Sequence, residues 1–199
     1  MEKREFIKKA GIITSSILGI PFIGQAGELK LNVIVDQKLL TNGNTASKNI
    51  VIGGDHAGFL LKGPMIEILK SWDYNVMDVG CFSPEPVDFP DIALLLVKEI
   101  LKGNAERGIM VCGTGVGASI ACNKIRGIRA ALCHDTYSAH QCVEHDNVNV
   151  ICLGAQIIGL NLAEEIIHDF LNAKFSDEEQ FRRRVKKLDE FDLMDPIRN

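Results

Sequence analysis

The chain has 199 residues, 46% hydrophobic and 24% charged, which suits one globular domain of about 150 residues with extensions and a full core that needs no disulfide staples. Its formal net charge of -4 excludes a general nucleic-acid surface, which needs a basic excess to displace counterions. The six cysteines (81, 112, 122, 133, 142 and 152) include no CxxC pair and mostly fall in apolar strand-like or helix-like runs, so apart from Cys112 they read as small buried hydrophobes.

Residues 1–26 differ from the rest. MEKREFIKK is basic, AGIITSSILGIPFIG is an uncharged apolar stretch, and GQAG offers small residues for a cut after Ala26. This layout predicts an export signal peptide, and with it an exported, periplasmic protein that keeps no membrane association once the signal is removed. An uncleaved membrane anchor and an ordinary N-terminal helix are the alternatives. KREFIKK also resembles the twin-arginine export motif, with Lys3 in place of the first arginine. Residues 27–48 read as a linker or N-terminal arm, in which LKLNVIVDQKLL has the composition of a short extra strand.

From residue 49 onward the pattern is regular. NIVIGG precedes the helical spacing of FLLKGPMIEILKSW; YNVMDVG precedes DIALLLVKEILKG; RGIMVCG precedes GASIACNKI. IRAALC then leads into TYSAHQCVEH, and VNVICLG into LNLAEEIIHDFLNAKF, before a charged closing helix, SDEEQFRRRVKKLDEF. Five apolar strands, each followed by a helix, predict an α/β domain over 49–199: a five-stranded parallel sheet covered on both faces, plus a C-terminal helix. Right-handed crossovers place all strand carboxyl ends along one rim, where ligands bind. Asp55-His56, Cys112-Gly113-Thr114-Gly115 and His134-Asp135 fall on that rim.

CGTGVGAS joins a buried strand to a helix. Glycines 113, 115 and 117 let the backbone turn sharply and turn several N–H groups outward at a helix N-terminus, which makes an anion site. The same field predicts that Cys112 is biased toward thiolate, a base beside an oxyanion nest, which is what enolisation needs. The spacing Gly113, Gly115, Ala118 also matches a dinucleotide fingerprint, with Asp135 ending the next strand, so a nicotinamide-type oxidoreductase is a competing reading. A plain structural turn is another. Asp55 alone reads equally well as the N-cap of the following helix, and His145 as a solvated helix-end histidine.

The motifs GGDHAGFLLK, VDFPDIA, CGTGVGASIACNKIRGIRAALC, TYSAHQCVEHDNVNVICLGAQIIG and FRRRV resemble those of the ribose-5-phosphate isomerase B and galactose-6-phosphate isomerase family over residues 49–190. The resemblance implies a Rossmann-like three-layer fold, a homodimer or a higher assembly such as a homotetramer, no metal or organic cofactor, and a sugar or sugar phosphate as partner. By position it implies that Cys112 moves a proton between sugar C1 and C2, and that Thr114 with the amides of Gly113, Gly115 and Gly117 holds the oxyanion. His145 corresponds to the family's ring-opening histidine. Asp55, His56, Asp146 and Asn147 correspond to substrate contacts.

The sequence departs from the family pattern in four places. Phe89 stands where many members have tyrosine, Asp146 where an amide is usual, and Gln156 and Gln180 where arginines often hold phosphate. Of the phosphate pattern only Arg184 is kept, with Arg182 and Arg183 as potential substitutes. These departures raise a free or differently charged sugar as an alternative to a sugar phosphate. A third reading is a non-catalytic sugar-binding protein on the isomerase scaffold; the intact Cys112, Thr114 and His145 argue against it.

Overall fold

Each apolar run of the body becomes a strand and each amphipathic run a helix. A computed structural model describes residues 48–194; the export segment, the extra strand considered within residues 29–40 and residues 195–199 lie outside that range. The order is β1 (Asn49–Gly54), α1 (Phe59–Ser71), β2 (Asn75–Asp78), α2 (Phe89–Leu101), β3 (Arg107–Cys112), α3 (Val116–Asn123), β4 (Ala130–Leu132), α4 (Thr136–Asp146), β5 (Val150–Gly154), α5 (Leu160–Asn172) and α6 (Glu179–Phe191). The strands form one parallel sheet in the order β2-β1-β3-β5-β4.

The three central strands are buried almost throughout, which explains their continuous apolar sequence. Their side chains alternate between two cores. Ile50, Ile52, Ile109 and Ile151 point toward α1, α4 and α5, where Met65, Leu69, Ile166 and Phe170 are buried. Val51, Met110 and Cys152 point the other way, toward Ile92, Leu96 and Val97 of α2 and Ala118 and Cys122 of α3. Each such side chain removed from water stabilises the fold by about 1.5–3 kcal/mol before the entropy cost is counted. All six cysteines are buried and unpaired, as small hydrophobes would be. Among the described residues no helix is long and apolar enough to cross a membrane.

The two edge strands are shorter than their sequences suggest. β2 keeps four residues and β4 three, because each is paired on one side only. β4's outer edge is closed by a side chain. Asn123, the last residue of α3, donates its amide to the carbonyl of Ala130 at 2.8 Å and accepts the Ala130 N–H at 2.8 Å. At the other edge, Lys62 of α1 is buried and donates to both carboxylate oxygens of Asp78, at 2.6 and 2.7 Å. The Lys62 side chain is 3% exposed and that of Asp78 28%, so removing the acid would strand a cation in the core. Asp78→Ala is therefore expected to lower unfolding stability by about 3 kcal/mol, read as a shift of the urea midpoint.

Candidate active site

The strand order changes direction between β1 and β3: the chain leaves β1 toward β2, then returns to lay β3 on the other side. Segments following these two neighbours diverge and open a crevice at their carboxyl ends. Asp55 directly follows β1, and Cys112 ends β3. The turn after β1 sits directly on β3: the Asp55 N–H donates to the Val111 carbonyl at 3.1 Å. A Cβ at Gly58 would lie 2.1 Å from that carbonyl oxygen, so only glycine permits the seat. In consequence the Cys112 thiol donates to Asp55 Oδ2 at 2.8 Å, while Oδ1 accepts the Gly58 N–H at 3.0 Å. Both residues are buried, Asp55 at 4% and Cys112 at 8% exposure. The N-cap position of α1 belongs to Gly58 rather than to Asp55, whose carboxylate ties the turn before the helix.

The glycine loop turns back over the same sulfur. Gly115, the N-cap of α3, has φ +79, and a Cβ there would lie 2.5 Å from the Leu132 side chain. This turn aims the amides of Gly113 and Gly115 at Cys112 Sγ, where both favour the thiolate as expected. They do not prevail. Burial, and then the Asp55 carboxylate, push the Cys112 thiol up from its ordinary range, so the expectation of a resting thiolate is corrected. Thr114 is exposed, its hydroxyl oxygen 3.4 Å from the Val116 N–H. Gly117 lies in the first turn of α3 under the tip of Phe89, where an added Cβ would meet the ring at 2.8 Å.

His56 and Gln156 complete this end. The exposed His56 accepts the Val87 N–H at Nδ1 (3.3 Å), and the Gln156 N–H donates to the Gly113 carbonyl at 3.0 Å. An added Cβ at Gly113 would lie 3.4 Å from the Gln156 side-chain oxygen, which places that uncharged amide beside the glycine loop. Asp55, His56, Cys112, Gly113, Thr114, Gly115, Gly117 and Gln156 thus share one rim.

His145, Asp146 and Asn147 do not join them within one chain. Helix α4 starts at the rim and runs antiparallel to the strands for 11 residues, about 16 Å at 1.5 Å per residue. Its last turn therefore lies at the opposite edge of the sheet. Asn147, with φ 50, is its C-cap, and the Asn147 carbonyl accepts Arg129 Nε at 2.9 Å. The His145 ring stacks on Phe181 of α6, with centroids 3.9 Å apart and planes at 11°. Gln180 and Arg184 belong to the same helix. The Gln180 amide is engaged by Glu178 at 2.7 Å, and Arg182 and Arg183 by Asp177 and Glu179. Arg184 is exposed, stands over the Phe181 ring at 5.7 Å, and has no carboxylate partner among the described residues. One chain therefore carries two separate groups of these residues, a thiol cluster at one sheet edge and His145 with Arg184 at the other.

Two placements were not anticipated. His134, noted at the rim without a role, accepts the Gly154 N–H at Nε2 (3.1 Å), beside the Thr114 carbonyl. Its position at a strand end was the available signal. Nothing in the sequence pointed to the stack of Phe181 on His145. Asp135, the ribose-binding acid of the dinucleotide reading, instead caps α4, accepting the Ser138 N–H and hydroxyl at 2.7 and 2.6 Å, bonds that hold its carboxyl below the usual range. With its carboxylate engaged in that cap, Asp135 is not the free acid which that reading needs. Among the described residues no group of three or more His, Cys, Asp or Glu is placed to hold a metal ion.

Residues 50–188 match the Ribose/Galactose Isomerase family. The D-erythrulose-4-phosphate isomerase of Pectobacterium atrosepticum is 44% identical over 131 residues, 64% of this chain and 84% of that one. The ribose-5-phosphate isomerase B of Escherichia coli is 40% identical over 128 residues, 64% and 86% of the two chains. The solved ribose-5-phosphate isomerase B of Clostridium thermocellum superposes with a TM-score of 0.71 at 41% identity, covering 73% of this chain and 97% of that one. With the thiol at the strand switch point, the glycine nest over it and the parallel sheet all in place, the chain belongs to the ribose/galactose isomerase family.

Proposed function

We propose that the chain interconverts a phosphorylated aldose and its ketose through an enediolate, with Cys112 as the base. The observation that carries this is a buried thiol at the switch point of the sheet, facing two backbone amides and bonded to Asp55. In the forward step the sulfur takes the proton from C2, and the C–H electron pair forms the C1–C2 double bond. The carbonyl oxygen gains the charge, which the amides of Gly113, Gly115 and Gly117 and the Thr114 hydroxyl stabilise. The proton on the C2 oxygen then passes to the C1 oxygen while the thiol returns the carbon-bound proton to C1, giving the ketose.

The relatives named above act, by their names, on sugar phosphates, which supports a phosphorylated substrate here; Arg184, with Arg182 or Arg183, supplies the cation. One observation favours a second reading. The glycine loop meets Gln156 and α6 carries Gln180, and each missing charge-assisted bond is worth about 1.5–3 kcal/mol, so phosphate binding weakens by roughly a hundredfold or more. A free aldose would not feel that loss. Incubating the protein with ribose 5-phosphate and, in parallel, a panel of free aldoses decides between them: ketose from the ester supports the first reading, ketose only from free sugars the second, and no ketose from either removes both.

His145, Asp146, Asn147, Gln180 and Arg184 act, in this proposal, on the thiol cluster of a second copy in a homodimer. The exposed Val116 and Ile120 on α3, beside the glycine loop, support a partner seated there. We also propose that residues 1–26 direct export to the periplasm. N-terminal sequencing of exported protein should begin at Gly27, and protein retained whole in the membrane fraction would favour the anchor.

A further inference from the structure

Three features near the sulfur bear on how its proton is lost. Asp55 Oδ2 lies 2.8 Å from Cys112 Sγ, so the thiol is already engaged before any sugar arrives. Oδ1 accepts the Gly58 N–H, in a turn that the Asp55 N–H ties to the Val111 carbonyl of β3 at 3.1 Å. The carboxylate is therefore stationary. The amides of Gly113 and Gly115 also act on the sulfur and favour its ionised form. An anion and a pair of donors thus compete for one sulfur, and the thiol donates to the anion at 2.8 Å.

A substrate changes this balance by geometry alone. For Sγ to take a proton from C2, that carbon must lie within contact of the sulfur. The hydroxyls on C2 and C3 then fall within hydrogen-bond reach of Asp55 Oδ2, which is itself only 2.8 Å from the sulfur. A hydroxyl donates more strongly to a carboxylate than a thiol does and takes the oxygen over.

We infer, resting on the isomerase reading above, that Asp55 is a substrate-released latch on the base: it holds Cys112 as a thiol in the empty site, and a sugar hydroxyl that captures Oδ2 frees the sulfur to ionise. The S–H bond breaks with its electron pair left on sulfur, and the proton passes to solvent. The thiolate, now facing the Gly113 and Gly115 amides with a partly neutralised carboxylate opposite, abstracts the carbon-bound proton. Asp55 is here a positioning residue that acts through Cys112.

The other titratable groups nearby do not replace this control. Lys62, whose side chain runs past Gly54, is matched by both oxygens of Asp78. His134 is tied to the Gly154 N–H, in register with Cys112, and His56 to Val87. Cys152 lies behind Cys112 in the same core, fully buried.

The test has two arms on the full chain. Ribitol 5-phosphate and ribitol are polyols that cannot isomerise. Their binding, followed by calorimetry, should raise the ultraviolet thiolate absorbance of the wild type near pH 8 and release a proton to buffer, with neither change in Cys112→Ala. Separately, Asp55→Asn keeps an acceptor for Gly58 but removes the anion. With no ligand present, alkylation of Cys112 by iodoacetamide, located by peptide mass spectrometry, should move to a lower pH by about one unit or more. Turnover of the same variant should nonetheless fall. A merely structural Asp55 would lower turnover without that pH shift. Polyol binding with no new thiolate, or an alkylation profile in Asp55→Asn that stays put or moves up, overturns the inference. If neither polyol binds and the wild type turns over no sugar, the isomerase reading fails instead, and the alkylation profile alone still decides whether Asp55 holds the thiol.

Discussion

Cys112→Ala is expected to lower kcat by about 10³-fold or more while sugar binding stays within a few-fold. Among the described residues the thiol's one side-chain hydrogen bond is to Asp55, so removing it deletes the proton carrier and little else. Packing should survive: Cys112 is buried at the end of β3, but alanine keeps the Cβ that meets the second core. Comparing ketose formation with calorimetric binding of the same sugar separates the two effects. Turnover within tenfold of wild type would remove Cys112 from the mechanism, and lost binding with unchanged unfolding would make it a ligand contact instead.

The second large effect is a rescue. His145→Ala alone is expected to lose about 10²-fold in turnover of a cyclic sugar, because ring opening then lacks its proton donor and acceptor. Mixed with Cys112→Ala and allowed to exchange subunits, the two poor proteins should regain about a quarter of wild-type activity per chain, since about half the dimers are mixed and each has one intact site. This follows from placement. Within one chain the thiol sits at the carboxyl edge of the sheet and His145 one helix length away, stacked on Phe181. A mixture no better than the average of its components would show that each site is served by a single chain. Dilution offers an independent reading, because activity per chain should fall below the dimer dissociation constant.

The strand–helix alternation was legible because the central strands are buried on both faces and so carry unbroken apolar runs. The rim was legible for a related reason: parallel strands with right-handed crossovers put every strand's end on the same side, which aligns Asp55, Cys112 and His134 from the order of the elements alone. What could not be read was energetics at short range. The field of the glycine loop argued for a thiolate, and the amides do point as expected. The opposing carboxylate arrives from a different strand, through a contact set by Gly58, and no local pattern reports an approach of 2.8 Å between residues 57 positions apart. The same limit applies to His145. Its motif carries a resemblance, but only the direction of α4 reveals that it faces away from the thiol of its own chain. β4 was overestimated because apolar residues such as Ile128 are buried outside the strand.

The side chain of Asn123 bears on how copies of this protein can meet. An unpaired strand at the border of a sheet offers donors and acceptors that another molecule's strand can zip onto, the route to open-ended stacking. At Ala130 both of these positions are already filled by one amide belonging to the chain itself. Growth by adding sheet to sheet is hindered at that point, so an open-ended stack that needs both borders of the sheet is disfavoured. Crowding such a protein should give discrete assemblies rather than fibres.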